Sequence, residues 1–169
     1  RFLEGAGGEP GLRMASTQGL KFLAAQRVEV TLHPYAYDPH ADAVGLAAAA
    51  ALGLDPALTL KTLMVEADGR PGCCVLASDR QLSMKKVAAG FGARAAAMMP
   101  PAKAEKLTGY HVGGISPFGQ RRPVPTLFDA APMAAAKVWI NAGQRGLLLG
   151  IAPGDALRVL AARVLALTA

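Results

Sequence analysis

The stretch "TLKTLMVEADGRPGCCVLAS", residues 59–78, decides the fold. Residues 59–67 form an apolar run, "DGRPG" is a turn, and "CCVLAS" is a second apolar run, so the segment predicts a hairpin of two antiparallel strands. Neighbouring residues on a strand face opposite sides, so Cys73 and Cys74 point apart and an ordinary bridge between them is not expected. With no spaced partners they match no zinc pattern either. They read as small apolar residues of a reducing compartment, and the expected location is cytoplasmic.

Upstream of the hairpin, Ser16 and Thr17 are N-cap candidates for a helix near 17–26. "RVEVTLH", 27–33, alternates and predicts a strand. A loop with Pro34 and Pro39 follows, with Asp42 as the expected cap of a helix through "AVGLAAAAALG" that stops at Gly53. Asp55-Pro56 opens a short turn.

Downstream, Ser83 caps a helix ending near Gly90–Gly92, and "ARAAAMM" predicts a strand. "PPAKAEKLTG" predicts two helical turns stopped by Gly109. Extended pieces are expected at 112–115 and 125–128, with Asp129 as the cap of a helix through "AAPMAA". Strands are expected at 137–143 and 146–151. A helix follows over "APGDALRVLA", with Pro153 in its first turn and Asp155 near its positive end. "RVLALT" predicts a last short strand. Strands and short helices interleave irregularly, which predicts one mixed α/β (α+β) domain over 14–169 and not a doubly wound nucleotide fold. Residues 1–13 are expected to be a loose extension ahead of Met14.

The totals agree with one packed domain. The chain has 169 residues, 52% apolar and 18% charged, which excludes a disordered chain. Aromatics are 5%, so the core is aliphatic and alanine-rich. A net charge of +6 suits a polyanionic partner. The start lacks the apolar region of a signal peptide. The longest apolar run, "AVGLAAAAALGL", is shorter than the roughly 20 residues a spanning helix needs. His33, His40 and His111 lack metal-ligand spacing, so no metal is expected.

"GYHVGGISPFGQ", 109–120, carries four glycines and a proline and predicts a place where backbone is approached closely. It is neither GxGxxG nor GxxxxGK[ST], and no GxSxG elbow appears. Lys61, inside an apolar strand, has two readings. One is an edge lysine that snorkels to solvent; the other is a fixed ammonium at a pocket. In a regular strand Thr62 faces the other way, so both serve one site only where the strand ends or bulges. Arg145, in "NAGQRG", is a solvated turn arginine or an anion contact. Tyr35 is a loop aromatic or a pocket wall.

Taken in order, "LKTL", "KKVA", "TGYHVGGISPFG", "PTLFD" and "AGQRGL" resemble the YbaK/EbsC family of aminoacyl-tRNA deacylases, related to the editing domain of bacterial prolyl-tRNA synthetases. The similarity spans about residues 16–168, and within the family the chain looks most like the Cys-tRNA(Pro) deacylase branch. The resemblance implies a curved, barrel-like mixed central sheet flanked by helices, with no cofactor and no metal. It implies aminoacyl-tRNA as partner, tRNA(Pro) first, and prolyl-tRNA synthetase as a further partner, with no membrane.

By the same resemblance Lys61, Gly113 and Gly114 are the catalytic positions. The lysine anchors the ribose-phosphate and the ester, and the glycines offer backbone N–H groups to the oxyanion. Tyr35, Thr62, Ser116, Asn141, Gly143 and Arg145 are the substrate-binding positions. Lys85, Lys86, Lys103, Lys106, Arg121 and Arg122 are expected to meet the tRNA backbone, against the plain reading of a solvated surface. The absence of a protein nucleophile fits attack by the thiol of the substrate cysteine, and equally an activated water. Three departures stand out: Asn141-Ala142 where serine-glycine is common, Leu148 in place of a carboxylate, and His111 at an aliphatic position. The alternatives are an Ala-tRNA(Pro) deacylase of a neighbouring branch and a non-catalytic module that binds tRNA or a synthetase.

Overall fold

The computed structural model describes residues 3–5 and 16–169. The loose extension expected over 1–13 lies outside the described residues, except for Leu3–Gly5. The strands are β1 (Leu3–Gly5), β2 (Val30–Pro34), β3 (Leu60–Ala67), β4 (Arg70–Ala77), β5 (Ala96–Met98), β6 (Thr126–Asp129), β7 (Val138–Gln144), β8 (Leu147–Ile151) and β9 (Arg163–Leu165). The helices are α1 (Gln18–Ala25), α2 (Val44–Leu52), α3 (Met84–Gly90), α4 (Pro101–Thr108) and α5 (Pro153–Leu160), with a 3-10 turn at Ala131–Ala134.

The hairpin forms as read. Leu60 pairs with Ala77 and Ala67 with Arg70 in one unbroken antiparallel register. Its turn is tighter than "DGRPG": Asp68 and Gly69 alone make it, both at positive φ (49° and 76°), the conformation that matches the twist of the flanking strands. The hairpin sits within the five-stranded sheet β5-β3-β4-β6-β9, and a four-stranded sheet runs β1-β2-β8-β7. Both contain parallel and antiparallel neighbours. A single bridge, Thr59 to Trp139, joins β7 to the start of β3. The sheets meet at that one seam and do not close, so the fold is mixed α/β without a completed barrel among the described residues.

Alternation divides the side chains between two cores. Leu60, Met64, Cys73, Val75 and Phe128 join Leu32, Ile140 and Leu149 of the other sheet in the main core. Val65, Cys74 and Leu127 face away, under Val87 and Leu167. Cys73 and Cys74 are therefore free, buried and on opposite faces, and burial pushes each thiol up to about 12. Neither is a thiolate at neutral pH.

Local chemistry sets most helix ends. Thr17 accepts from Leu20 N and Ser83 from Lys86 N, while Gly53 and Gly109 close α2 and α4 in the left-handed region. Three expectations fail. Ala43, not Asp42, occupies the N-cap of α2, without a side-chain bond. Residues 112–115 are turn and bend rather than extended chain, because Gly113 at φ +91° reverses the path. Asp129 ends β6 and caps nothing: buried, it accepts from Leu167 N and ties down the C-terminal segment.

Candidate active site

β3 is only partly covered along its outer edge. β5 pairs with it from Val65 onward, and the Thr59–Trp139 bridge holds its start. Thr59 O accepts from Ser78 N on the β4 side, whereas Met64 O accepts from Met99 N on the β5 side. Ladder bonds alternate, so the N–H and C=O of Thr62 turn to the β5 side, where no strand lies opposite them. The cavity opens at this gap.

Its volume is about 310 Å³. Tyr35, Lys61, Thr62, Gly113, Asn141 and Leu148 line it, with an apolar remainder that includes Met64, Met98, Met99 and Ile115. Lys61 and Thr62 share it without any bulge. The register through them is regular, and the cavity straddles the open edge and so touches both faces of the strand.

Lys61 is half-buried and donates to Ser78 O at 3.4 Å, a long contact that leaves ammonium protons for another acceptor. Burial lowers its pKa, while the charge of Asp79 acts the other way. Gly45 brings α2 over this lysine: a Cβ there would sit 2.8 Å from the Cβ of Ser78. Burial raises the pKa of Tyr35. The hydroxyls of Tyr35 and Thr62 are both buried and have no hydrogen-bond partner. Such groups cost free energy while they stay unpaired. Among the lining residues only Lys61 and Tyr35 titrate, and none is a cysteine, histidine or carboxylate.

The glycine loop is held from the β7–β8 turn. Asn141 Nδ2 donates to Gly113 O at 3.2 Å, and its Oδ1 accepts from Gly143 N and Gln144 N at 2.7 and 3.1 Å. Arg145 Nε donates to Val112 O at 2.9 Å, with its guanidinium 5.5 Å from the Tyr37 ring centre. Close backbone approach is real here, but the chain approaches itself. A Cβ on Gly113 would meet the Tyr37 hydroxyl at 2.6 Å, and one on Gly114 would meet Arg145 N at 2.8 Å. The Gly114 N–H already donates to His111 O, so it is not an open oxyanion donor.

Several residues expected to touch the substrate make contacts within the chain. Ser116 is buried and accepts from Phe118 N, away from the cavity. Gly143 leaves room for Tyr110, whose hydroxyl donates to Phe118 O. Arg145 lies outside the lining. The basic residues stand apart from the cavity too. Lys103 pairs with Glu66, and Lys86 donates to Thr168 O. The main-chain N–H groups of Arg121 and Arg122 donate to Thr108 O and Leu107 O at the end of α4, and both residues are exposed. Lys85 and Lys106 are exposed. Met64, Met98 and Met99 line the cavity with no signal in the sequence, because apolar residues read alike in a cavity wall and in a core.

Among the described residues no group of three His, Cys, Asp or Glu side chains gathers to hold a metal, and no helix is long and apolar enough to cross a membrane. An apolar cavity lined by one lysine, one tyrosine and one threonine along an open strand edge fits a small, partly apolar molecule with a polar end.

The comparisons make that class specific. Residues 38–159 match the aminoacyl-tRNA editing domain, and the chain belongs to that family, in keeping with its YbaK/EbsC motifs. A relative from Enterococcus faecalis (strain ATCC 700802 / V583), named "Putative Cys-tRNA(Pro)/Cys-tRNA(Cys) deacylase EbsC", is 26% identical over 139 residues, covering 81% of this chain and 84% of its own length. Among solved structures, one described as a "putative trans-editing enzyme for prolyl tRNA synthetase" superposes with a TM-score of 0.78 at 20% identity, over 90% of this chain and 95% of its own. The hypothetical protein APE2540 gives the same TM-score at 21% identity, over 90% and 99%. At these identities the two structures speak for the fold.

Proposed function

We propose that the protein hydrolyses the ester of mischarged tRNA, with Cys-tRNA(Pro) as its first substrate. The observation that carries the reading is the open edge of β3, where Lys61, Thr62 and Tyr35 line one apolar cavity. The aminoacyl group enters among Met64, Met99 and Ile115, and Lys61 holds the polar ribose-phosphate end at the mouth. Thr62 and Tyr35 form the wall against which the aminoacyl end rests.

No lining side chain is a ready nucleophile, and the two cysteines are buried elsewhere as thiols. The bond is therefore broken by a group that comes with the substrate or by water. In the first case the cysteinyl thiol, once deprotonated, attacks its own carbonyl carbon. A thiolactone forms, the C–O bond to the ribose breaks, and the ribose oxygen takes a proton. In the second case water adds to the same carbon and yields the free amino acid and the ribose hydroxyl directly. In both, the oxyanion is met by Lys61 and by main-chain N–H groups at the Thr62 edge. The relative's name, which specifies cysteine on tRNA(Pro) or tRNA(Cys), supports this choice of substrate.

The test is to incubate purified protein with Cys-, Ala- and Pro-charged tRNA(Pro) and follow ester loss. Loss with cysteine is the expected result. Loss with alanine and not cysteine overturns the substrate-thiol route, and no loss with any of them leaves a binding module. A prolyl-tRNA synthetase partner would appear as faster loss when that enzyme is added.

A further inference from the structure

The outward face of the four-stranded sheet continues past the cavity. Asn141 and Leu148 are paired residues on β7 and β8, and both line the cavity. The next residues on the same face are His33, which pairs with Leu148, and Trp139, two positions before Asn141. Beyond them come Thr31 and Lys137, which border a second, shallow hollow of about 220 Å³. Two positions along a strand cover about 6.7 Å, so the cavity, Trp139 and Lys137 follow one another at short, even steps.

The side chains between the two hollows are ordered among themselves. Trp139 Nε1 donates to His33 Nε2 at 3.3 Å, which makes that nitrogen an acceptor, and the Thr31 hydroxyl lies 2.7 Å from the same atom. The imidazole is thus neutral with its proton on Nδ1; burial, then the charge of Lys137, lower its pKa in agreement. The Lys137 ammonium lies 5.6 Å from the centre of the indole, and His33 meets the indole edge-on at 78°. Gly150 clears the path, since a Cβ there would fall 2.3 Å from Lys137 Cε and 2.5 Å from Thr31 Oγ1. The ammonium is held over one face of the indole, whose edge His33 fixes.

We propose that this track is a second subsite, which takes the nucleotide preceding the one that carries the ester. Its base stacks on Trp139, and its phosphate meets Lys137. A π-face beside a cation is the arrangement by which proteins hold single-stranded nucleic acid without base selection. Glu29 also borders the far hollow, so that end offers a carboxylate as well as an ammonium. The carboxylate repels a further phosphate, so the track ends at the one that Lys137 meets. The inference rests on the ester reading of the cavity, which fixes where the chain of nucleotides begins.

Trp139 is the only tryptophan in the sequence, so its fluorescence reports on the track directly. Two non-hydrolysable probes separate the track from the cavity. One is cysteine joined by an amide to 3′-amino-adenosine; the other is the same group at the end of an RNA trinucleotide. The trinucleotide is expected to bind about tenfold more tightly and to quench the indole, in line with the loss seen when a stacking aromatic is removed. Trp139→Ala should bring its affinity down to that of the adenosine probe, whose own affinity stays unchanged. Trp139→Phe, which keeps a stacking ring, should retain most of the difference and guards against a folding defect. Lys137→Ala should weaken only the trinucleotide and lower its salt slope by about 0.7. Equal affinity for both probes with unquenched fluorescence overturns the track and leaves the cavity reading standing. If neither probe binds, the ester reading falls, and the track with it.

Discussion

Tyr35, just past the end of β2, and Thr62 of β3 line one cavity, and their hydroxyls are both buried without a partner. A buried hydroxyl in that state costs free energy unless a partner reaches it. The two residues should therefore trade stability against function. Thr62→Val removes an unsatisfied hydroxyl and is expected to raise stability by about 1 kcal/mol. It should slow deacylation about tenfold, the loss expected for one substrate hydrogen bond. Tyr35→Phe should behave the same way. Thermal melts and ester-loss rates on the same preparations check the opposite signs; parallel losses in both would make these hydroxyls structural.

Lys61 gives the pH dependence its sign. Its folded-state pKa lies below the ordinary value of 10.5, chiefly through burial. Between those two values the folded chain binds fewer protons than the unfolded one, so this group's contribution to stability increases as pH rises through the window. It is least favourable at lower pH, where the lysine is charged in both states. Activity should run the opposite way and fall across the same alkaline window as the ammonium is lost. Lys61→Ala is expected to abolish deacylation with a nearly unchanged melting curve, and Lys61→Arg to remove the alkaline fall from whatever activity survives. Rates corrected for spontaneous ester hydrolysis decide it, and a Lys61→Ala protein of normal rate removes the lysine from the mechanism.

The glycine pair separates two kinds of close approach. Gly113 faces a side chain, the Tyr37 hydroxyl, and holds φ at +91°; Gly114 faces the backbone of Gln144 and Arg145. Gly113→Ala should therefore be partly rescued by Tyr37→Ala, with a residue of about 1–3 kcal/mol from the backbone conformation. Gly114→Ala should have no single side-chain deletion that rescues it. Melting temperatures of the four proteins test the distinction.

These positions show what local sequence can reveal. Thr17, Ser83, Gly53 and Gly109 act within one helical turn of themselves, and Asp68-Gly69 makes the hairpin from two residues. Such chemistry is legible because its partner lies nearby in the chain. Asp129 carries an equally good capping side chain, but its acceptor oxygen serves Leu167, 38 positions away. Gly114 signals close approach correctly, yet nothing in "GYHVGGISPFGQ" says that the neighbour is the β7–β8 turn. The basic residues pose a related problem: a charge reads alike whether it is open or, like Lys103, already paired with Glu66. Lys61, Thr62 and Tyr35 do reach one cavity, because a polar side chain in an apolar strand has few places to go.

Asn141 joins these levels, since one amide supports the turn with its oxygen and the glycine loop with its nitrogen. Asn141→Asp keeps the two acceptor bonds from Gly143 and Gln144 but sets a carboxylate oxygen against the Gly113 carbonyl. Asn141→Ala loses all three. The Asp variant is expected to preserve the turn and release the loop. Gly143 and Gln144 amides should then stay protected from hydrogen exchange, while deacylation falls at least tenfold. The new carboxylate also enters the cavity that holds Lys61, so it should raise the lysine pKa and carry the alkaline limb of the remaining activity to higher pH. The Ala variant should expose both amides and melt several degrees lower, a loss of about 1–3 kcal/mol for the unpaired groups. Full activity in the Asp variant would show that the loop needs no tether from Asn141 and would leave Arg145, through its bond to Val112 O, as the contact that holds it.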